Sequence, residues 1–194
     1  MRLESLVHVV RVASAITPGR RIVILGSSSL LGSFPELGDE TGPLETSFDA
    51  DLLIEGVDEQ LAAVLEEAIG MESLFKAREG YFADTLRPTV TETFPRGWEA
   101  RLVSLPGCEA ASCLDPHDLA AVKMQTGREK DFVLCAELLA MGRLRSDLID
   151  ERLQETRMTE RMMVLSSQRL QQTIEMAKDA AARNNPPGSS SHGG

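Results

Sequence analysis

From Ile22 to Phe75 the chain has neither lysine nor arginine, and the same stretch carries twelve carboxylates. Such a surface repels phosphates unless a cation mediates. It excludes a protein that grips nucleic acid through a general basic face, although Lys76, Arg78, Arg87, Arg96 and Arg101 could form a local patch beyond it. A solvated acidic face would account for the charges without any function. Long apolar runs are also absent: no stretch reaches the roughly 20 residues that a membrane span needs. The opening segment, MRLESLVHVVRVASAI, is interrupted by Glu4, His8 and Arg11 and reads as an amphipathic helix rather than a signal peptide. These features predict a cytoplasmic protein with no membrane partner. Cysteine is scarce, and its three copies lack the spacing of a disulfide framework, which fits a reducing compartment. Cys108, Cys113 and His117 have no convincing fourth ligand for zinc, so small, partly buried thiols are the better reading. The familiar phosphate and nucleophile motifs are missing too: there is no G-K-[ST], no G-x-G-x-x-G and no G-x-S-x-G.

The chain does have alternating strand-like and helix-like segments. Its 194 residues suit one domain with a small helical appendage, and 42% apolar content is ordinary for a globular chain. Residues 3–16 form a helix with Leu3, Leu6, Val7, Val10 and Ala13 on one face. RIVILG (21–26) is a buried strand leading into a short helix near 29–33. The segment 34–47 is a loop by its prolines and glycines. FDADLLI (48–54) is a second strand. Asp58 caps the helix EQLAAVLEEAI, with Leu61, Val64, Leu65 and Ala68 inward. A short helix near 72–78, the strand GYFADTL and the strand WEARLVSL (98–105) follow. Asp115 caps the next helix, with Pro116 in first position and Asp118 at the capping-box position. REKDFVLCAELLAMG is another amphipathic helix, ended by Gly142. The rest reads as two helical segments. Between 158 and 183 a heptad-like seam at Met163, Ser167, Leu170, Ile174, Ala177 and Ala181 either packs back on the domain or pairs with a second copy. The pattern is α+β, a mixed sheet with flanking helices followed by a helical C-terminal part. The predicted divisions are 1–142, 143–183 and a disordered tail over 184–194.

Two short stretches carry chemistry. Asp49 and Asp51, two apart on a strand, project to the same face. Side-by-side carboxylates favour a cation between them, and hard oxygen ligands of this kind suit Mg²⁺ with substrate phosphates. Read alone, D-x-D is common and is more often a solvated strand end. Gly26, Ser27 and Ser28 end the first strand where a helix begins. That geometry presents free N–H groups and hydroxyls to an anion. Serine as a plain helix cap is the alternative.

A strand ending in Gly-Ser, a short helix, a loop and a strand bearing D-x-D resembles the core of nucleotidyltransferases of the DNA polymerase β superfamily. The segment CLDPHDLAAVKMQTGREKDFVLCAELLAMG (113–142) is similar to the second signature of the AbiEii-like toxin nucleotidyltransferases and their bacterial relatives. There a lysine on one helix precedes an arginine-lysine-aspartate cluster on the next. FPRGWEARLVSL resembles the strand before that signature, and the likeness covers roughly residues 3–142. The resemblance implies that Gly26, Ser27 and Ser28 hold the phosphates of an NTP and that Asp49 and Asp51 bind Mg²⁺. It implies phosphate neutralisation by Lys123 and Arg128, and an orienting or nucleophile-proximal role for Asp131. Helix-surface ion pairing, such as Arg128 with Asp131, is the other reading of this cluster. It also implies a third carboxylate on a neighbouring strand, for which Glu99 is the candidate. The activity implied is transfer of a nucleoside monophosphate to RNA (tRNA among the candidates), a protein or a small molecule, with an antitoxin protein as a further partner. A non-catalytic module that binds nucleotide or a partner protein is the alternative.

Overall fold

The computed structural model describes residues 1–184, so the tail predicted from residue 184 onward lies outside the described residues save for Asn184, which ends the last helix. The architecture is α+β: a five-stranded mixed sheet with flanking helices and a long C-terminal helix. The strands are β1 (Ile22–Ile24), β2 (Asp49–Ile54), β3 (Phe82–Leu86), β4 (Val103–Leu105) and β5 (Cys108–Cys113), in the order β3-β2-β1-β5-β4. β1 is antiparallel to β2 and parallel to β5. β2 is parallel to β3, and β4 is antiparallel to β5. The helices are α1 (Leu3–Ile16), α2 (Glu59–Ile69), α3 (Leu74–Glu79), α4 (Pro116–Thr126), α5 (Glu129–Ala140), α6 (Ser146–Gln154) and α7 (Glu160–Asn184).

Local chemistry explains many of the boundaries. The Asp58 carboxylate accepts from Leu61 N–H at 2.8 Å and starts α2, and Ser73 does the same for Lys76 at α3. Asp115 accepts from the His117 and Asp118 amides at the start of α4, where Pro116 supplies a fixed φ and needs no donor. β1 is buried at every residue, as a central strand must be, whereas β2 alternates. Ala50, Leu52 and Ile54 enter the core, leaving Asp49, Asp51 and Leu53 on the other face. Val64 departs from its expected inward place. It is 46% exposed, because α2 turns Leu65 and Ile69 to the core instead.

WEARLVSL is not one strand. Gly97 adopts φ +75°, a conformation open to glycine, and residues Trp98–Arg101 then wind into a 3₁₀ turn before β4 begins at Val103. Glu99 is exposed on that turn. β5, the small-residue strand CEAASC, had no counterpart in the sequence reading. It is held between β1 and β4 by its neighbours rather than by its own propensity.

α4 is buried nearly all round, and it carries two charges into the interior, Asp118 and Lys123. Each has an opposite partner, as buried charges require. Asp118 is fully buried and does not act as a capping-box residue. It accepts from Arg101 Nε at 2.9 Å and Nη2 at 2.9 Å, with Arg152 Nε at 3.3 Å. This joins α4 to α6 and to the turn before β4. It also takes Arg101 out of any basic surface patch. Arg78 pairs with Glu79, and the Lys76 ammonium lies 5.3 Å from the Phe82 ring centre.

The C-terminal helices pack back on the rest of the chain. Leu144, Ile149, Leu153 and Leu170 belong to the same hydrophobic core as the strands. On α7 the buried stripe is Ser166, Leu170, Thr173 and Ala177, while Met163 and Ser167 are half-buried and Ala181 is exposed. No helix among the described residues is long and apolar enough to cross a membrane.

Candidate metal and phosphate site

β2 and β3 run parallel with Asp51 directly opposite Asp84. Side chains in register on adjacent strands share a face, and Asp49, two residues before Asp51, shares it too. One carboxylate oxygen each from Asp49, Asp51 and Asp84 lies within 4.8 Å of the others. The third carboxylate is therefore Asp84, and Glu99 is not part of the group. A lone acid inside the strand FADTL was the signal for it. Its significance depends on a strand pairing that spacing along the chain does not reveal.

Burial and mutual repulsion set the electrostatics of this cluster. Burial, together with Asp49 and Asp84, pushes the Asp51 carboxyl up to about 6, although Lys123 and Arg128 act in the opposite direction. Burial also raises Asp84, with Glu66 and Asp49 adding to the effect. Ser47 Oγ donates to Asp49 at 3.4 Å.

The Gly-Ser stretch lies against the same carboxylates. Residues Ser27–Gly32 form a 3₁₀ helix, earlier and tighter than the short helix expected near 29–33. Its cap position is Gly26, so no serine serves as the N-cap. Gly26 has an ordinary extended backbone, and the reason for glycine here is space. A Cβ at this position would fall on Asp51 Oδ2 and stand 2.8 Å from its Cγ. The Asp51 backbone cannot retreat, because its carbonyl accepts from Leu25 N–H at 2.9 Å within the β1–β2 pairing. The two sequence stretches are thus packed into a single locus. Gly26→Ala is expected to lower stability by about 1–3 kcal/mol through overpacking. It should also weaken divalent-cation affinity about tenfold by displacing Asp51. Thermal melts with and without Mg²⁺ measure both, and wild-type behaviour in both would show that the close approach is dispensable.

The opposite wall is built by α4 and α5. Lys123 Nζ, nearly buried, donates to Ser27 Oγ at 3.0 Å and is ion-paired to the buried Asp131. Asp131 also accepts from Thr126 Oγ1 at 3.4 Å. The surface pair of Arg128 with Asp131 does not form. Asp131 turns inward to Lys123, and Arg128 stays exposed on the rim. Gly26, Ser27, Asp49, Asp51, Lys123 and Arg128 all line one cavity of about 1410 Å³, with Asp131 and the exposed Lys130 beside them. Ser28 is not among its lining residues. Its side chain is buried, with no hydrogen-bond partner for Oγ among the described residues.

The cysteines take no part. Burial pushes the Cys113 and Cys135 thiols up to about 12, and His117 accepts from the Arg145 amide at 3.2 Å. No protein-family model, curated protein or solved structure matches this chain.

Proposed function

We propose that this chain is a Mg²⁺-dependent nucleotidyltransferase. It would move a nucleoside monophosphate from an NTP to an acceptor hydroxyl, forming the oxygen–phosphorus bond to the acceptor and breaking the bond to the leaving pyrophosphate. The observation that carries this reading is the third carboxylate, Asp84, in register with Asp51, whose own carboxylate lies against Gly26. Three acids on one sheet face repel one another unless a cation lies between them, which favours a metal-assisted reaction. The donor set fits the ion: three carboxylates of hard oxygen, one of them raised to about 6 by burial and by its two acidic neighbours.

Asp49, Asp51 and Asp84 would hold Mg²⁺, which when bound supplies charge neutralisation on the reacting phosphate oxygens. Arg128 is free to grip a phosphate from the rim with a forked guanidinium. Lys123 has its ammonium committed to Asp131 and Ser27, so it fixes the wall from which Ser27 faces the cavity and contributes a nearby positive field. The acceptor is an RNA, a protein or a small molecule, and the resemblance of segment 113–142 to toxin nucleotidyltransferases makes this chain a candidate for the toxin partner of an antitoxin.

The deciding experiment incubates wild type and the Asp49→Ala/Asp51→Ala variant with each α-³²P-labelled NTP, Mg²⁺ and total RNA or protein from bacteria. Label transferred by wild type alone establishes the activity and identifies base and acceptor class together. Nucleotide binding without transferred label would replace the enzyme with a non-catalytic nucleotide-binding module. Neither binding nor label would sink the phosphate-site reading.

A further inference from the structure

A side chain of the helical C-terminal part reaches back toward the site. Arg169, half-buried on α7, donates from Nη1 to the carbonyl of Met124 at 2.9 Å and to that of Gln125 at 2.7 Å. These carbonyls belong to the last turn of α4, where helix geometry leaves them without intrahelical partners. The cation also sits at the negative end of the α4 dipole. The chain then reverses through Gly127, at φ +75°, into Arg128 and α5. Gly127 suits this turn for two reasons. Its φ favours glycine, and a Cβ there would stand 2.9 Å from Arg169 Nη1 and nearer still to the rest of the guanidinium. The turn so clamped carries Lys123 on one side and Arg128 on the other, and both line the cavity and act on Asp51. Thr173, one helical turn further along α7, donates to Met124 Sδ at 3.7 Å and reinforces the same contact.

We propose that Arg169 is a positioning residue for this site: by clasping the 124–128 turn it aims Arg128 at the nucleotide's phosphates and steadies the wall that Lys123 holds, so that α7 is a working part of the site rather than an appendage. The inference rests on the nucleotide reading above. It predicts a specific division of labour. The carboxylates sit on β2 and β3, which Arg169 does not touch, so cation binding should not depend on it. Phosphate binding should.

The test compares wild type, Arg169→Met and Arg169→Lys. Amide exchange over residues 124–131 is expected to quicken at least about tenfold in Arg169→Met, with β1, β2 and β3 unchanged. The Mg²⁺-induced thermal shift should stay at the wild-type value. The KM for NTP, or the dissociation constant for inorganic tripolyphosphate with Mg²⁺, should rise about tenfold. Arg169→Lys should restore part of both effects, because an ammonium can still donate to one carbonyl. Unchanged exchange in the turn, or an opened turn with unchanged phosphate affinity, overturns the proposal. So does exchange that quickens everywhere together with a lost Mg²⁺ shift, since Arg169 would then serve the fold alone. If wild type itself binds neither NTP nor tripolyphosphate, the nucleotide reading fails, and an opened turn in the variant then reduces Arg169 to a helix cap.

Discussion

Asp51→Asn is expected to abolish nucleotidyl transfer, by roughly 10³-fold, while making the metal-free protein more stable than wild type. The two effects have one cause. Asp51 is forced to carry charge next to Asp49 and Asp84 in a partly buried place, and its carboxyl responds by moving up to about 6. The difference from its ordinary value of 3.8 corresponds to up to about 3 kcal/mol of destabilisation when the group is ionised. The folded state binds this proton more tightly than the unfolded chain does. The stabilising contribution is therefore fully present below about pH 3.8 and lost as pH rises through about 6. Asparagine mimics the protonated side chain at every pH. The stability gap between variant and wild type should be largest above about pH 7 and should shrink as pH falls from 6 toward 4. Chemical denaturation without metal, across that range, measures it. Adding Mg²⁺ at neutral pH should reverse the order, because the cation stabilises wild type and has lost a ligand in the variant. A variant less stable than wild type at pH 7.5 without metal would mean that the three carboxylates are not in conflict, and the case for a cation there would fall.

The parts of this site were unequally legible in the sequence. Gly26 and the Asp49/Asp51 pair were readable because each is a local signal: a strand that stops in small residues, and a period of two. The caps at Asp58 and Asp115 were readable for the same reason. Asp84 was not, although its strand was expected, because its meaning lies in the parallel register with Asp51, some thirty positions away in the chain. Glu99 drew attention by sitting in an apparent strand, and the left-handed Gly97 that breaks that strand is a tertiary fact. β5 was invisible because Cys-Glu-Ala-Ala-Ser-Cys has little intrinsic strand preference, and its place between β1 and β4 decides its conformation. Asp118 reads as a helix-start residue until Arg101 and Arg152 arrive from distant segments. Local chemistry set the elements, and long-range pairing chose among the acids.

Lys123 shows how far structural and functional roles can be separated by experiment. Lys123→Met leaves Asp131 buried at 4% exposure without its counter-ion, and stability is expected to fall by about 3–5 kcal/mol. Loss of activity in that variant alone would say nothing about chemistry. The double variant Lys123→Met/Asp131→Leu removes both charges at once. Replacing a buried ion pair by apolar groups of similar size is often close to neutral, so most of the lost stability should return. Activity should not return, because Ser27 loses its bond to the Lys123 ammonium and the wall facing Asp51 loses that charge. Denaturant unfolding of the two variants gives the first half of the prediction, and transfer or tripolyphosphate binding by the refolded double variant gives the second. If the double variant regained wild-type phosphate affinity along with its stability, the Lys123–Asp131 pair would belong to the fold, and Arg128 and Lys130 on the rim would be left as the cations that meet the nucleotide.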